Sequence, residues 1–412
     1  MRKNTVRDNR PYVRPVERIE LDESHLKGRF ILFAALLLIA AVSILYGIIN
    51  LTRASAGWTE IKVETSSQIN CGDDFTFVYD LGRGALSPTA EKKQLTVLYS
   101  SACEEAYRQF DAENTYDGVY NVAYLNQHIN ETVTVDDVLY DALKQVSEHD
   151  SRYIFLGPIY ERYDYVFFYH TDEEIYDYDP HSNETVHQEY LDILAYARDP
   201  ECISIELFEE NKVCLNVSAE YQKYVEENGY HNYIDFYWMK NAFIADYLAD
   251  RLTANGFTNG SISSDDGFSI CLDDSDLDYH YNIYDYLDET LYQAAVFNYS
   301  KKMHIVTLKD FPMYQDDRYY NVTEKGTILT PYLSVKDALN ASRYSTMTCY
   351  DESMGCGELL LRMTPYYLCD ENDFDIDGFD CFYLEDSQIF YSDQLVSFTD
   401  VYKAYTLKQI DQ

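Results

Sequence analysis

From residue 30 to residue 49 the chain reads FILFAALLLIAAVSILYGII, twenty positions without a charge. A helix rises about 1.5 Å per residue, so this run spans the roughly 30 Å hydrocarbon core of a bilayer. Lys27 and Arg29 abut it on one side, and Arg53 is the only basic residue close on the other. That bias predicts a single-pass span with a cytoplasmic N-terminus. Ala54-Ser55-Ala56 resembles a signal cleavage site. The apolar run is longer than the roughly 7–15 residues of a signal-peptide core, however, and the segment before it is long, which favours an uncleaved anchor.

Beyond the run the pattern turns amphipathic. Phe75–Leu81 alternates as a strand does, and Lys92–Arg108 is helical with a mixed face. TVTV at Thr132–Val135 predicts a strand, followed by a helix over Asp136–Ser147. Val138, Leu139, Ala142, Leu143 and Val146 form the stripe of that helix, and Asp136 is placed to cap it. Tyr153–Phe168 is apolar and aromatic, interrupted by Gly157-Pro158. Asp172–Glu189 is acidic and rich in tyrosine, the composition of a solvated insertion, and Gln188–Ala197 is helical. Ser204–Leu207 and Val213–Val217 predict paired strands across a turn at Glu210-Asn211.

The stretch YIDFYWMKNAFIADYLADRLTANGFTNGSIS predicts a strand over Tyr233–Trp238 and a helix from about Met239 to Ala254. Ala245, Leu248, Ala249 and Leu252 form its buried stripe, and Asn255-Gly256 supplies a left-handed exit. A strand at Gly260–Ser264 follows. Lys240 stands where the helix opens, and free N–H groups at such a point suit an anion. Ala294–Tyr299, Met303–Leu308 and Arg343–Cys349 are further strands, and Gly357–Met363 is a short helix or strand. Strands and helices alternate irregularly, which predicts an α+β domain with a mixed sheet.

Charge narrows the choice of partner. The net charge is -39, with an excess of +3 over residues 1–30 and the whole deficit beyond residue 50. No basic patch offers itself to nucleic acid. The 42 tyrosines are too many for a disordered acidic tail, so the acidic part must fold. Nine cysteines all follow the apolar run, without C-x-x-C or Cys/His zinc spacing. Cys349/Cys356 and Cys369/Cys381 are candidate local pairs; small buried thiols are the alternative.

There is no G-x-S-x-G, H-E-x-x-H, P-loop or G-x-G-x-x-G. Asp373, Asp375 and Asp377 before Gly378 match the first half of a calcium loop. Position nine of that loop would be Cys381 and position twelve Leu384, which excludes a full EF-hand.

Three stretches carry a resemblance together: NVAYLN at 121–126 with the helix after it, RYIFLGPIYERY at 152–163, and IDFYWMKNAFIADYLADRLTANGFTNGSISSDDG at 234–267. In order and spacing they resemble the FAD:protein FMN transferase (ApbE-like) family, over roughly residues 70–365. Asn126 matches an Asn near the family's flavin site, and Gly157-Pro158 match the end of G-A-F-D-P-T-V-G-P. Asp235, Lys240 and Asp246 match D-x-G-G-x-A-K-G-Y-x-x-D. The resemblance implies FAD with Mg²⁺, and FMN transfer to a Thr or Ser hydroxyl of an exported acceptor protein. It implies an extracytoplasmic domain over 58–412 behind a membrane anchor at 30–49 and a basic cytoplasmic tail at 1–29.

Several positions depart from that family. The paired glycines are Tyr237-Trp238, the later G-G-D is Asp265-Asp266-Gly267, and H-x-x-D-P-x-T-G aligns with YYNVTEKG, putting Tyr319 at the His. The metal-binding A-D-A-x-x-T aligns with MGCGEL, so Gly355 and Leu359 stand at its Asp and Thr. Two further functions follow from these departures and from the tyrosines: a catalytically inactive relative that binds flavin or a protein, and a surface binder of glycans.

Overall fold

A computed structural model describes residues 26–273, 275, 277–287, 290–314, 317–372, 378–393, 397–400 and 405–410. The chain divides into two units, Met1–Ala54 and Ser55–Gln412. In the first, Leu26–Thr52 is one helix. Its segment Lys27–Gly47 is long and apolar enough to cross a membrane and is exposed along its length.

The second unit is built on a nine-stranded sheet. Its strands lie side by side in chain order: Gly57–Glu60, Phe75–Leu81, Gly260–Ser264, Phe268–Cys271, Met303–Lys309, Thr346–Asp351, Asp380–Glu385, Gln388–Tyr391 and Thr406–Gln409. Every neighbouring pair is antiparallel except the last, which makes the sheet mixed. Met303–Lys309 is buried at all seven positions because both faces of the sheet are covered.

Helices Pro88–Phe110, Lys240–Ala254 and Cys356–Tyr367 pack together and against the sheet. Elsewhere Phe297, Ala294, Ala295 and Ile283 of the hairpin Tyr279–Leu287/Thr290–Tyr299 form a core with Cys271, Met303, Ile305, Tyr350, Phe382 and Leu384 of the sheet. A third layer of strands pairs Thr132–Thr134 and Ile203–Phe208 with Lys212–Val217. Its hairpin turns at Glu210 and Asn211, both in the left-handed region at φ 61° and 58°, as the sequence predicts.

Four expectations change. Tyr233–Trp238 is not a strand; it ends in a one-turn 3₁₀ helix at Tyr237–Met239 that runs into Lys240–Ala254. Asp172–Glu189 is no loose insertion, since Ile175, Asp179 and Val186 are buried and Asn183 caps the helix Glu184–Ala197. Asp136 stands at the cap position of Asp137–Glu148, but its carboxylate takes Gln109 instead of the helix N–H groups. All nine cysteines are thiols, and Cys349 lies opposite Cys381 in register, not joined to Cys356. The carboxylates Asp373, Asp375 and Asp377 lie outside the described residues, as does the calcium expectation placed on them.

Candidate functional site

The three stretches that carry the resemblance converge. Asn126 ends a short helix, Val122–Gln127, and is buried. Its Oδ1 accepts from the N–H groups of Tyr233 and Ile234, each at 3.0 Å, and its Nδ2 donates to the Ile234 carbonyl at 2.9 Å. Glu161 accepts from the N–H groups of His231 and Asn232 at 2.9 and 2.6 Å. The Asp235 N–H donates to the Ile154 carbonyl at 2.8 Å. Side chains from distant segments thus take the backbone bonds that a sheet would have used, which is why this segment is irregular.

Gly157 is needed here because a Cβ would lie 2.4 Å from the Asn232 carbonyl oxygen. The close approach of the two segments explains the Gly-Pro break. Asp235 then accepts from the Tyr237 N–H at 2.7 Å, holding Tyr237 at φ 41°. The Tyr237 ring stacks on Tyr160 at 4.7 Å between centroids, and its hydroxyl donates to Asp164 at 2.5 Å.

This turn forms one wall of a cleft of about 890 Å³. Tyr160, Tyr165, Phe168, Tyr169, Tyr237 and Tyr319 supply aromatic surface, and Lys240 and Arg318 supply positive charge. A smaller cavity of about 310 Å³, walled by Trp238, Asn241, Asp266, Phe268 and Tyr332, shares Asp73, Asp74, Arg318 and Tyr319 with it. The larger cleft is acidic as well, with Asp73, Asp74, Asp111, Glu113, Glu161, Asp164 and Asp235 in its lining.

Burial sets the protonation of these groups. It pushes the Asp235 carboxyl up to about 6, against the Tyr237 N–H and the charge of Lys240, which favour ionisation. Burial likewise raises Asp74, partly offset by Lys240 and Arg318. Asp266 rises to about 6 through burial although Ser264 and Asn241 hydrogen-bond it. Burial works against the Lys240 ammonium, but Tyr319, Asp74 and Asp235 outweigh it and hold the lysine above its usual value.

Of the four residues expected at the site, Asp235 and Lys240 line the cleft, and Asn126 acts from behind by holding the segment that carries them. Counted position by position, D-x-G-G-x-A-K-G-Y-x-x-D runs without a gap from Asp235 to Asp246. Its lysine then falls on Asn241, and Lys240 stands at its alanine. Asn241 turns its amide to Asp266 at 2.9 Å, while Lys240 faces the cleft.

Asp246 lines neither cavity. Its two carboxylate oxygens accept from the N–H groups of Cys356 and Gly357, each at 2.8 Å, and so cap the helix Cys356–Tyr367 from a neighbouring helix. Burial pushes its carboxyl up to about 7, against these two donors. A Cβ on Gly355 would stand 2.6 Å from the Asp246 Oδ2. The space that an aspartate at 355 would need is therefore filled. Leu359 is fully buried, and no group of His, Cys, Asp or Glu suited to a metal ion occurs among the described residues. The Mg²⁺ that the resemblance implies does not fit this site.

Arg318, Asp73, Asp74 and Asp164 were not legible as site residues. The signal for Arg318 was its place directly before Tyr319, in the middle of an acidic, tyrosine-rich run.

No family model matches the chain, and no curated protein matches it either. Solved structures do. The flavin transferase ApbE from Vibrio cholerae superposes with a TM-score of 0.55 at 13% identity, covering 85% of this chain and 99% of its own. The ApbE protein from Thermotoga maritima superposes with a TM-score of 0.52 at 12% identity, covering 79% and 94%. The folded unit has the ApbE fold. At that identity the fold is what the ApbE structures share with this chain, and activity rests on its own residues.

Proposed function

We propose that this ApbE-fold protein handles flavin: anchored by its N-terminal helix, it exposes the folded domain on the extracytoplasmic side and binds a flavin in the aromatic cleft. The observation that carries this is the cleft itself. Eight aromatic side chains, Tyr107 and Phe110 among them, line it beside two cations, Lys240 and Arg318. Stacked rings suit the planar tricyclic system of a flavin, and cations suit its phosphate. A bound flavin would supply redox or group-donor chemistry; the residues in hand bind and orient it. Asn126 and Glu161 hold the segment, Asp235 fixes the turn, and Tyr237 and Tyr160 present their rings.

With Gly355 and Leu359 at the metal positions, holding flavin as a ligand is the better supported role. A second reading is transfer of FMN from FAD to a Thr or Ser of an exported protein. The likeness in fold to a flavin transferase favours it.

Purified full-length chain in detergent, incubated with FAD, Mg²⁺ and candidate acceptors, separates the two. Flavin retained after dialysis without AMP release is the expected outcome. AMP release with covalent flavin on the acceptor would establish the transferase, and a colourless protein would overturn both.

A further inference from the structure

We propose that Lys240 and Arg318 form an anion site in the cleft that takes the phosphate monoester of a flavin nucleotide without a metal ion. This rests on the flavin reading of the same cleft and narrows it to the phosphorylated ligand.

The observation behind it is an imbalance of pairing. Eight other arginines occur in the folded unit, and each is engaged. Arg83, Arg108, Arg162, Arg251 and Arg362 pair with carboxylates, and Arg152, Arg198 and Arg343 donate to backbone carbonyls. Among the described residues, Arg318 alone of the folded unit's arginines has neither an ion pair nor a hydrogen bond; its guanidinium lies over the Tyr319 ring, 5.3 Å from the centroid. Lys240 is likewise without a carboxylate in ion-pair range or a hydrogen-bond acceptor among the described residues. Acidic residues outnumber basic ones 71 to 32 in the chain, so partners for these two were abundant.

Both side chains face the same cleft, and each feels the other's charge. The charges of Asp74, Asp164 and Asp235 act on these two cations only from beyond ion-pair range, so an anion placed beside both gains the direct contacts that no carboxylate makes. A guanidinium offers a planar fork of donors and an ammonium a compact charge, the pair of groups that phosphate oxygens accept best. The other charged residues of the cleft lining are carboxylates, so an anion can be held only where these two groups reach it.

Gly355 has no room for a carboxylate beside Asp246, so the metal ligand that the resemblance places there is missing. Two positive charges match the dianion of a phosphate monoester.

The test compares FMN with riboflavin on the full-length chain in detergent, following flavin fluorescence in EDTA and again in Mg²⁺. FMN should bind at least about tenfold tighter than riboflavin in either condition. Arg318→Gln and Lys240→Gln should each reduce the ratio of the two affinities by about tenfold, with Arg318→Lys recovering part of it. Loss of fold would weaken both ligands alike and leave no selective change in the ratio. Equal affinities, or a preference for FMN that needs Mg²⁺, would overturn the anion site and leave the flavin reading standing. If neither flavin binds, inorganic phosphate decides: a rise in Tm that Arg318→Gln abolishes keeps the anion site and overturns the flavin reading. No rise overturns both.

Discussion

At the scale of single residues, Asp246 is the clearest case of a motif residue with a structural duty. It satisfies two N–H groups at the start of Cys356–Tyr367, each at 2.8 Å. Asp246→Ala leaves both donors without a partner, and each unsatisfied group costs about 1–3 kcal/mol. A loss on the order of 2–4 kcal/mol is expected, readable as a lower midpoint in chemical denaturation. Gly355→Asp, which restores the residue type of the family's metal motif, should destabilise too, because its Cβ would meet Asp246 at 2.6 Å. It should not create a Mg²⁺ site detectable by calorimetry. The double variant Asp246→Ala/Gly355→Asp should lose less stability than the two single losses added together, since one change vacates the space the other fills. Simple addition would mean that the two side chains do not compete for it.

At the scale of elements, what could be read ahead depended on whether the deciding contacts were local. The helix Lys240–Ala254 and the hairpin at Glu210-Asn211 were legible because periodicity and turn chemistry lie within a few residues. The segment Tyr233–Trp238 has the aromatic and β-branched composition of a strand and is not one. Its backbone bonds go to Asn126 and Ile154, which lie some 80 to 108 positions away in the chain. Nothing within the segment signals that. Arg318 was missed for the same reason, as its neighbours in the cleft come from remote elements. Asn126→Ala tests the point. Removing a side chain that accepts two N–H groups and donates to Ile234 and Asn232 should cost about 2–4 kcal/mol and weaken flavin binding together with it. Asn126→Asp keeps the two acceptor bonds and should lose less. If Asn126→Ala proved as stable as the parent chain, the segment would be held by its own packing alone.

At the scale of the whole molecule, burial of carboxylates sets an unusual dependence of stability on pH. Asp235, Asp266 and Asp310 are each raised to about 6 and Asp246 to about 7, all chiefly by burial. Each has a folded pKa above its value in the unfolded chain, so between about pH 4 and 7 the folded state holds protons that the unfolded state releases. Stability should therefore fall as pH rises through that window and level off above it. Self-repulsion within a chain of net charge -39 works in the same direction, because acidification removes charge. His304 works against it. Buried and kept neutral, it is pushed down to about 4, so it costs stability as pH falls below its ordinary value. Burial pushes His149 down as well, and the four carboxylates outweigh these two imidazoles. Thermal unfolding of the full-length chain should accordingly give a higher Tm near pH 5 than near pH 8, with the difference reduced in Asp246→Asn. A Tm that rises steadily from pH 5 to 8 would show that these carboxylates are ionised in the folded state.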